Sequence, residues 1–284
     1  MANSDYTVRA GGYGFCPFAF LAVPIGALHT NVTMVGYTSP ITDGIRIGMA
    51  AMIGTEIVVI YGRTGNELVI GRGCCDTVPA PHDAGSIIAF FDDSIAKGGV
   101  EYGGTETVAV KVLPKTTSAP YLPVSSSPPE QVTFNFRFAR PYPPGLVRVN
   151  GDAWILDHLI SNLSNFSLTW AHRDRLTQED LLVDHMQGNI GPEVGTTYTI
   201  QIFKADGTLL RSTTGISADN WLYPWATAVS DFGVGSGLHE GYATLRAVRD
   251  ALDSFQHYRI DFTLDAESWG LGFKLGIRLG GIPP

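Results

Sequence analysis

The chain has little charge, and this shortage limits the partners that it can bind. Only 16% of its 284 residues are charged, against about 25% in ordinary soluble domains. We therefore expect much of its surface to lie against neighbouring proteins. The net charge is −8, and lysine and arginine form no cluster longer than an isolated pair. Because DNA and RNA binding needs clustered cations, no nucleic-acid partner is predicted.

Long apolar runs and an even set of cysteines are also missing. The longest apolar run, residues 15–28, is broken by two prolines and is shorter than the roughly 20 residues of a spanning helix. No basic region precedes it, so neither a membrane span nor a secretory signal is predicted. The cysteines are Cys16, Cys74 and Cys75, an odd number that does not form a disulfide framework. The adjacent pair could be a redox or metal site, but two half-buried thiols beside a turn is the favoured interpretation.

Strict alternation of apolar and polar residues is what the chain has instead. Phe166, Leu168 and Trp170 fall on one face of a predicted strand, because side chains alternate with period two. Residues 198–202 repeat the pattern and lead to Asp206-Gly207, a typical hairpin turn. These segments indicate one edge of a β-sandwich.

The composition divides the chain into four parts. Residues 1–113 are predicted to be an N-terminal β-domain, which is barrel-like or sandwich-like. Residues 114–130 are rich in proline and serine and are interpreted as a linker. Residues 131–265 are predicted to be a second β-domain, and its first strand places Val132, Phe134, Phe136 and Phe138 on one face. Residues 266–284 are interpreted as a Gly-rich C-terminal arm, too rich in glycine for a packed strand.

One segment of the second domain fits two structures. Leu245, Val248, Leu252 and Phe255 have spacings of three and four, as in an amphipathic helix. Every flanking element is β, so strand, turn and strand is the preferred prediction.

Several segments resemble one family. Residues 170–176 (WAHRDRL) and 188–198 (GNIGPEVGTTY) resemble the fibronectin type III-like module near the C-terminus of tail-tip hub proteins of long-tailed bacteriophages and gene transfer agents. The Pro-rich residues 140–145 are similar to the lead-in of that module. Residues 68–85 resemble the β-domain that precedes it, and residues 268–272 resemble the ending of such chains.

This resemblance implies an all-β chain, in which the N-terminal β-domain is followed by a fibronectin type III-like β-sandwich. It also implies a structural subunit of the phage tail tip, made in the host cytoplasm and found in the virion. The expected partners are hub, distal tail and fibre proteins, and a homotrimer is expected from the threefold symmetry of tail tips. Enzymatic activity and a cofactor are not expected. The alternative is a receptor- or carbohydrate-binding module that contacts the host cell surface.

Arginine and aromatic residues are enriched at protein interfaces, so we predict that one set of six side chains contacts another subunit. For the charged loop at 172–175, a subunit contact is the first interpretation and a brace within the chain is the second, and both are preferred to a contact with a receptor. The arm is expected to reach an adjacent chain. The predicted subunit contacts are Arg137, Arg140, His172, Arg173, Arg175 and Trp269.

Aromatic and carboxylate clusters give the remaining candidate sites. Trp221, Tyr223 and Trp225 are predicted to form an exposed aromatic patch that could bind a ligand. The pairs His82-Asp83 and Asp92-Asp93 lack the order of oxygen ligands in a calcium loop, so no metal site is predicted. The remaining acid–histidine pairs have no strand–turn–helix elbow for a nucleophile, so no catalytic residues are predicted.

Overall fold

The structure is a computed structural model that describes residues 6, 16–38, 44–94, 101–113, 123–178 and 181–267. Within these residues the chain is all-β, as predicted, with eighteen strands and one α-helix. The helix covers only eight residues, Trp225–Phe232 (α1). The arm predicted at residues 266–284, including Trp269, lies almost entirely outside the described residues.

The first unit is a closed six-stranded barrel. Its strands are joined in the order β1-β2-β5-β4-β3-β6, and every neighbouring pair is antiparallel. Closure leaves no open edge, and the inward side chains form one apolar core. β4 and β5 form a hairpin. The bounds are Phe18–Leu21 (β1), Asn31–Thr38 (β2), Ala50–Ile53 (β3), Glu56–Thr64 (β4), Glu67–Gly71 (β5) and Ile87–Ala89 (β6).

A separate two-stranded hairpin follows the barrel. Thr107–Val110 (β7) pairs only with Glu130–Thr133 (β8) among the described strands. The prediction for residues 131–139 was therefore wrong, because this segment lies outside the sandwich. Its strand ends at Thr133, and a short 3₁₀ turn, Arg137–Ala139, follows. The two strands of the hairpin flank the predicted linker, part of which is not described.

The second unit is a β-sandwich. One sheet has the order β10-β9-β12-β15, and the other has the order β11-β18-β16-β13-β14 with β17 beside β16. The bounds are Gly145–Val149 (β9), Asp152–Ala153 (β10), His158–Ile160 (β11), Phe166–Ala171 (β12), Thr197–Lys204 (β13), Leu209–Ile216 (β14), Asn220–Tyr223 (β15), Leu238–Arg249 (β16), Leu252–Asp253 (β17) and Tyr258–Asp265 (β18).

The seven main strands of this sandwich have the arrangement of a fibronectin type III-like domain. The first, second and fifth of them, β9, β12 and β15, form one sheet, and β13, β14, β16 and β18 form the other. The fourth strand, β14, pairs with the third strand β13, whereas in a constant-type immunoglobulin domain the fourth strand lies beside the fifth. The inward residues of both sheets form a single core around Phe166, Trp170 and Tyr198.

Three local features of the sandwich can be compared with the predictions from the sequence. Residues 245–255 are strand, turn and strand, as preferred, with β16 turning into β17. The turn at Asp206-Gly207 is longer than a two-residue hairpin, and only Gly207 has a positive φ. Helix α1 was not predicted. It begins after Pro224 and ends at Gly233, whose φ is +66°, a pair of boundary signals that helices commonly use.

Candidate functional site

A buried ion pair ties together the loops at one side of the barrel. Arg72 and Glu56 are 0% and 1% exposed, and two parallel N–H···O bonds of 2.8 Å join them. The guanidinium also donates to the backbone carbonyls of Gly26, His29 and Ala80. All five of its N–H donors are therefore used, which a buried arginine requires.

The carboxylate of Glu56 is equally well satisfied. It accepts hydrogen bonds from the backbone N–H groups of Gly73 and Ala80 and lies 2.8 Å from Nε2 of His82. Burial raises the pKa of Glu56, but the hydrogen bonds from His82 and Arg72 outweigh it and leave the pKa below its ordinary value. From the sequence, His82 was a candidate only for a metal ligand. In the structure it bonds to Glu56, and the described residues contain no group of three or more metal-ligating side chains.

The barrel contacts the sandwich through the strand end that carries Arg72. The backbone N–H and Nδ1 of His185 both lie within hydrogen-bond distance of the Arg72 carbonyl, at 2.9 and 3.1 Å. The hydroxyl of Tyr61 donates to Oδ2 of Asp184 at 2.9 Å. On the other side of the junction, Gln256 accepts from the backbone N–H of Val78 at 2.8 Å. The two units are thus connected by polar contacts at separate points of the chain.

Arg173 lies inside this junction. It is 3% exposed, and its two terminal nitrogens donate to the carbonyls of Gly73 and Val183, at 3.3 and 2.8 Å. A side chain this deeply buried cannot contact another subunit, so the prediction for Arg173 was wrong. The second interpretation of the loop, a brace within the chain, describes Arg173.

Four arginines fasten the turn after β8 to both units. Arg137 binds Asp76 of the barrel through two hydrogen bonds, the longer of 2.9 Å. Arg140 donates to the carbonyl of Asp253 in the sandwich at 2.8 Å. The carbonyls of the turn itself accept from Arg175, at Phe138, and from Arg249, at Ala139. The base of the hairpin is therefore fixed against the barrel and the sandwich.

A buried carboxylate holds two of these arginines in place. Glu193 is 2% exposed. Its Oε1 forms an ion pair with Arg175, 3.0 Å away, and accepts a hydrogen bond from Arg249. His172, also predicted as a subunit contact, directs Nδ1 at the hydroxyl of Tyr198, 2.8 Å away. Arg137, Arg140, Arg175 and His172 thus have partners in their own chain, and their contact with another subunit stays a prediction.

The adjacent cysteines are free thiols at the edge of the same junction. Cys74 is buried and Cys75 is partly buried. Burial raises the pKa of both thiols, although a hydrogen bond with Tyr142 acts in the opposite direction at Cys75. A thiol that is protonated near neutral pH is a weak nucleophile. The favoured interpretation, half-buried thiols beside a turn, describes Cys75, whereas Cys74 is fully buried.

The predicted aromatic patch does not form an exposed platform. Tyr223 is 1% exposed, and its hydroxyl donates to Asp231 at 2.9 Å. Trp221 and Trp225 pack against the core of the sandwich, and Nε1 of Trp225 donates to the carbonyl of Asp265 at 2.7 Å. The patch prediction was wrong because the inward face of β15 belongs to the core and helix α1 begins at Trp225.

An exposed apolar surface lies instead on one face of the hairpin. The even-numbered residues from 106 to 112 and from 130 to 134 point to the same side. We call the apolar ones the hairpin face, and the exposed Glu106 and Glu130 lie on the same side. Four of its members are at least 36% exposed, and Phe134 stacks on Tyr102 with ring centroids 5.1 Å apart. The odd-numbered residues of the other side include Thr107 and Thr133, whose hydroxyls are 2.8 Å apart. The exposed members of the hairpin face are Val110, Val112, Val132 and Phe134.

Comparison with known proteins identifies no family. No protein-family model matches the sequence, and no curated protein matches it significantly. Among solved structures, the chain is similar to the crystal structure of chicken CNTN1 FN1-FN3 domains, with 8% identity and a TM-score of 0.27. The match covers 89% of this chain and 66% of that one, so this chain spans just under two thirds of the length of that protein. No helix among the described residues is long and apolar enough to span a membrane.

Proposed function

We propose that this chain is a structural subunit that acts through protein–protein assembly, in the tail tip of a long-tailed bacteriophage. The hairpin face is the observation that carries the proposal. A two-stranded hairpin is marginally stable in water unless other elements pack on it, and contiguous exposed apolar patches commonly mark interaction surfaces. The virion context and the hub, distal tail and fibre partners come from the resemblance of residues 170–198.

The way in which the hairpin is held also supports assembly. Arg137 and Arg140 connect its base to the barrel and to the sandwich, and Arg175 and Arg249 hold the turn that follows. A surface that is already fixed loses less conformational freedom when a partner binds. The anchoring arginines therefore favour a preorganised contact surface.

The alternative function, binding of a receptor or carbohydrate, depended on an exposed platform at Trp221, Tyr223 and Trp225. Since Tyr223 is buried and both tryptophans pack on the sandwich core, no observation favours that function over assembly.

Incorporation into particles tests the proposal. The double variant V112S/V132S replaces two exposed members of the hairpin face, and A109S changes the opposite face of the same strand as a matched control. Because each buried valine contributes about 1.5 kcal/mol or more, we expect V112S/V132S to lower incorporation at least tenfold. Purified particles would be compared by quantitative immunoblot, with circular dichroism showing that both variants are folded. Equal incorporation of the two variants, or absence of the wild-type chain from particles, would contradict the proposal.

A further inference from the structure

The outer edge of β8 is open. All four residues of β8 are exposed, and the strand pairs only with β7 among the strands that the structure describes. The N–H groups of Phe134 and Phe136 point toward β7, where they donate to the carbonyls of Glu106 and Gly104. Since the direction alternates along an antiparallel strand, the N–H groups of Gln131 and Thr133 point away from β7. The edge offers these groups to a further strand.

The last part of the sequence has the pattern of such a strand. From residue 269 to residue 279, every odd position is apolar and every even position is glycine, lysine or arginine. Period two is the signature of a strand with one apolar face. Glycine lowers the intrinsic strand propensity of this segment, so we expect it to need an existing sheet edge. The odd positions are Trp269, Leu271, Phe273, Leu275, Ile277 and Leu279.

Charge favours the same pairing. The described hairpin residues 101–113 and 123–136 carry three glutamates, Glu101, Glu106 and Glu130, and one lysine, Lys111. Residues 268–284 carry Lys274 and Arg278 and no acidic residue. An acidic edge attracts a basic strand and disfavours a like-charged one.

The position of the sandwich strands indicates which copy supplies the segment. Asp265, at the end of β18, pairs with Leu238, whereas Asp253, which holds the hairpin base, pairs with Val248. Ten residues of β16 separate Leu238 from Val248, which is about 34 Å at the rise of a strand. Residue 269 follows Asp265 by only four residues, or about 14 Å. The last described residues of the chain therefore lie far from its own hairpin base.

We propose that residues 269–279 of one copy add as a strand to the open β8 edge of a neighbouring copy, with their odd-numbered side chains extending the hairpin face. This inference rests on the proposed assembly function and names the contact between copies. The contact is head-to-tail, because two different surfaces of the chain meet, and such contacts close into rings when the rotation allows.

Edge-blocking variants of the full-length chain test this inference. Proline has no N–H group and is tolerated only where no ladder bond is lost. Gln131→Pro removes an N–H group that points outward from β8. Ala109→Pro is the matched control, because Ala109 pairs with Gln131 and its N–H group points outward from β7. Phe273→Asp places a charge on the apolar side of the terminal segment. Sedimentation velocity would compare the wild type with Q131P, F273D and the control A109P.

We expect the wild type and A109P to associate, and Q131P and F273D each to raise the dissociation constant at least tenfold. An equimolar mixture of Q131P and F273D should form a heterodimer, because the first chain keeps an intact segment and the second keeps an intact β8 edge. A monomeric wild type, unchanged association of Q131P, or no heterodimer in the mixture would overturn the inference. If Q131P enters particles normally while V112S/V132S does not, the inference fails and the proposed function stands.

Discussion

Replacing Arg72 by methionine should strongly destabilise the barrel. Methionine approximates the length of the side chain but removes all five hydrogen bonds and the charge that balances Glu56. The carboxylate then stays buried without a cation, and the carbonyls of Gly26, His29 and Ala80 lose this donor. Breaking a buried pair by removing one partner costs about 3–5 kcal/mol, a large part of the roughly 5–15 kcal/mol that stabilises a domain.

Urea unfolding measures this loss separately in the two units. With a slope of about 1–3 kcal/mol per molar urea, the midpoint should fall by about 1–5 M. Far-UV circular dichroism reports on both units, whereas tryptophan fluorescence does not report on the barrel strands, since the tryptophans lie at positions 154, 170, 221, 225 and 269. We therefore expect R72M to move the circular dichroism transition more than the fluorescence transition.

Two further variants separate the effect of burial and the effect of the unpaired carboxylate from the effect of the lost hydrogen bonds. Arg46→Met removes an ion pair with Asp93 at the surface, where both side chains are more than half exposed, and should change the midpoint little. The double variant E56Q/R72M removes the buried charge but leaves carbonyls without their donor, each worth about 1–3 kcal/mol, so it should recover only part of the loss. A midpoint for R72M equal to that of R46M would refute the reasoning.

Two other predictions concern the junction. Gly71→Ala should destabilise the chain by about 1–3 kcal/mol, because its Cβ would lie 2.6 Å from a ring carbon of Tyr61 and 2.7 Å from Oδ2 of Asp184. Gly235→Ala, with no atom within 4 Å, is the control, and equal melting temperatures for the two variants would contradict the packing argument. Burial lowers the pKa of His185, so its contribution to stability should be complete above pH about 6.5, the ordinary value, and decrease as the pH falls below it. Melting temperatures from pH 8 to pH 5 would measure this dependence, and H185Q should reduce the slope below pH 6.5.

The strands were predictable from the sequence where one face of the strand lies in a core. The alternation of residues 166–170 and 198–202 identifies β12 and β13, whose inward side chains belong to the core of the sandwich. The hairpin β7–β8 was not found, because its strands are separated by about twenty residues of Pro- and Ser-rich sequence. Alternation at residues 132–138 indicated a face but not whether that face is covered.

The charged residues show a different limit of sequence analysis. Arg137, Arg140 and Arg175 were assigned to subunit contacts because arginine is frequent at interfaces, but the structure gives each a partner within the chain. Planar guanidinium groups donate to carboxylates and to backbone carbonyl oxygens inside a fold, and neither kind of partner has a local sequence signal. The cluster of Glu56 and Arg72 was missed for the same reason.

These internal arginines change how the low charge of the chain should be interpreted. A chain with only 19 lysines and arginines uses Arg72 inside the barrel, Arg173 inside the junction, and Arg137 and Arg140 at the base of the hairpin. Lys111 is the only lysine or arginine among the described hairpin residues 101–113 and 123–136. The arginines that fix the hairpin therefore lie at its base, and its valine and phenylalanine side chains stay exposed, as is expected for a surface that is covered in an assembly.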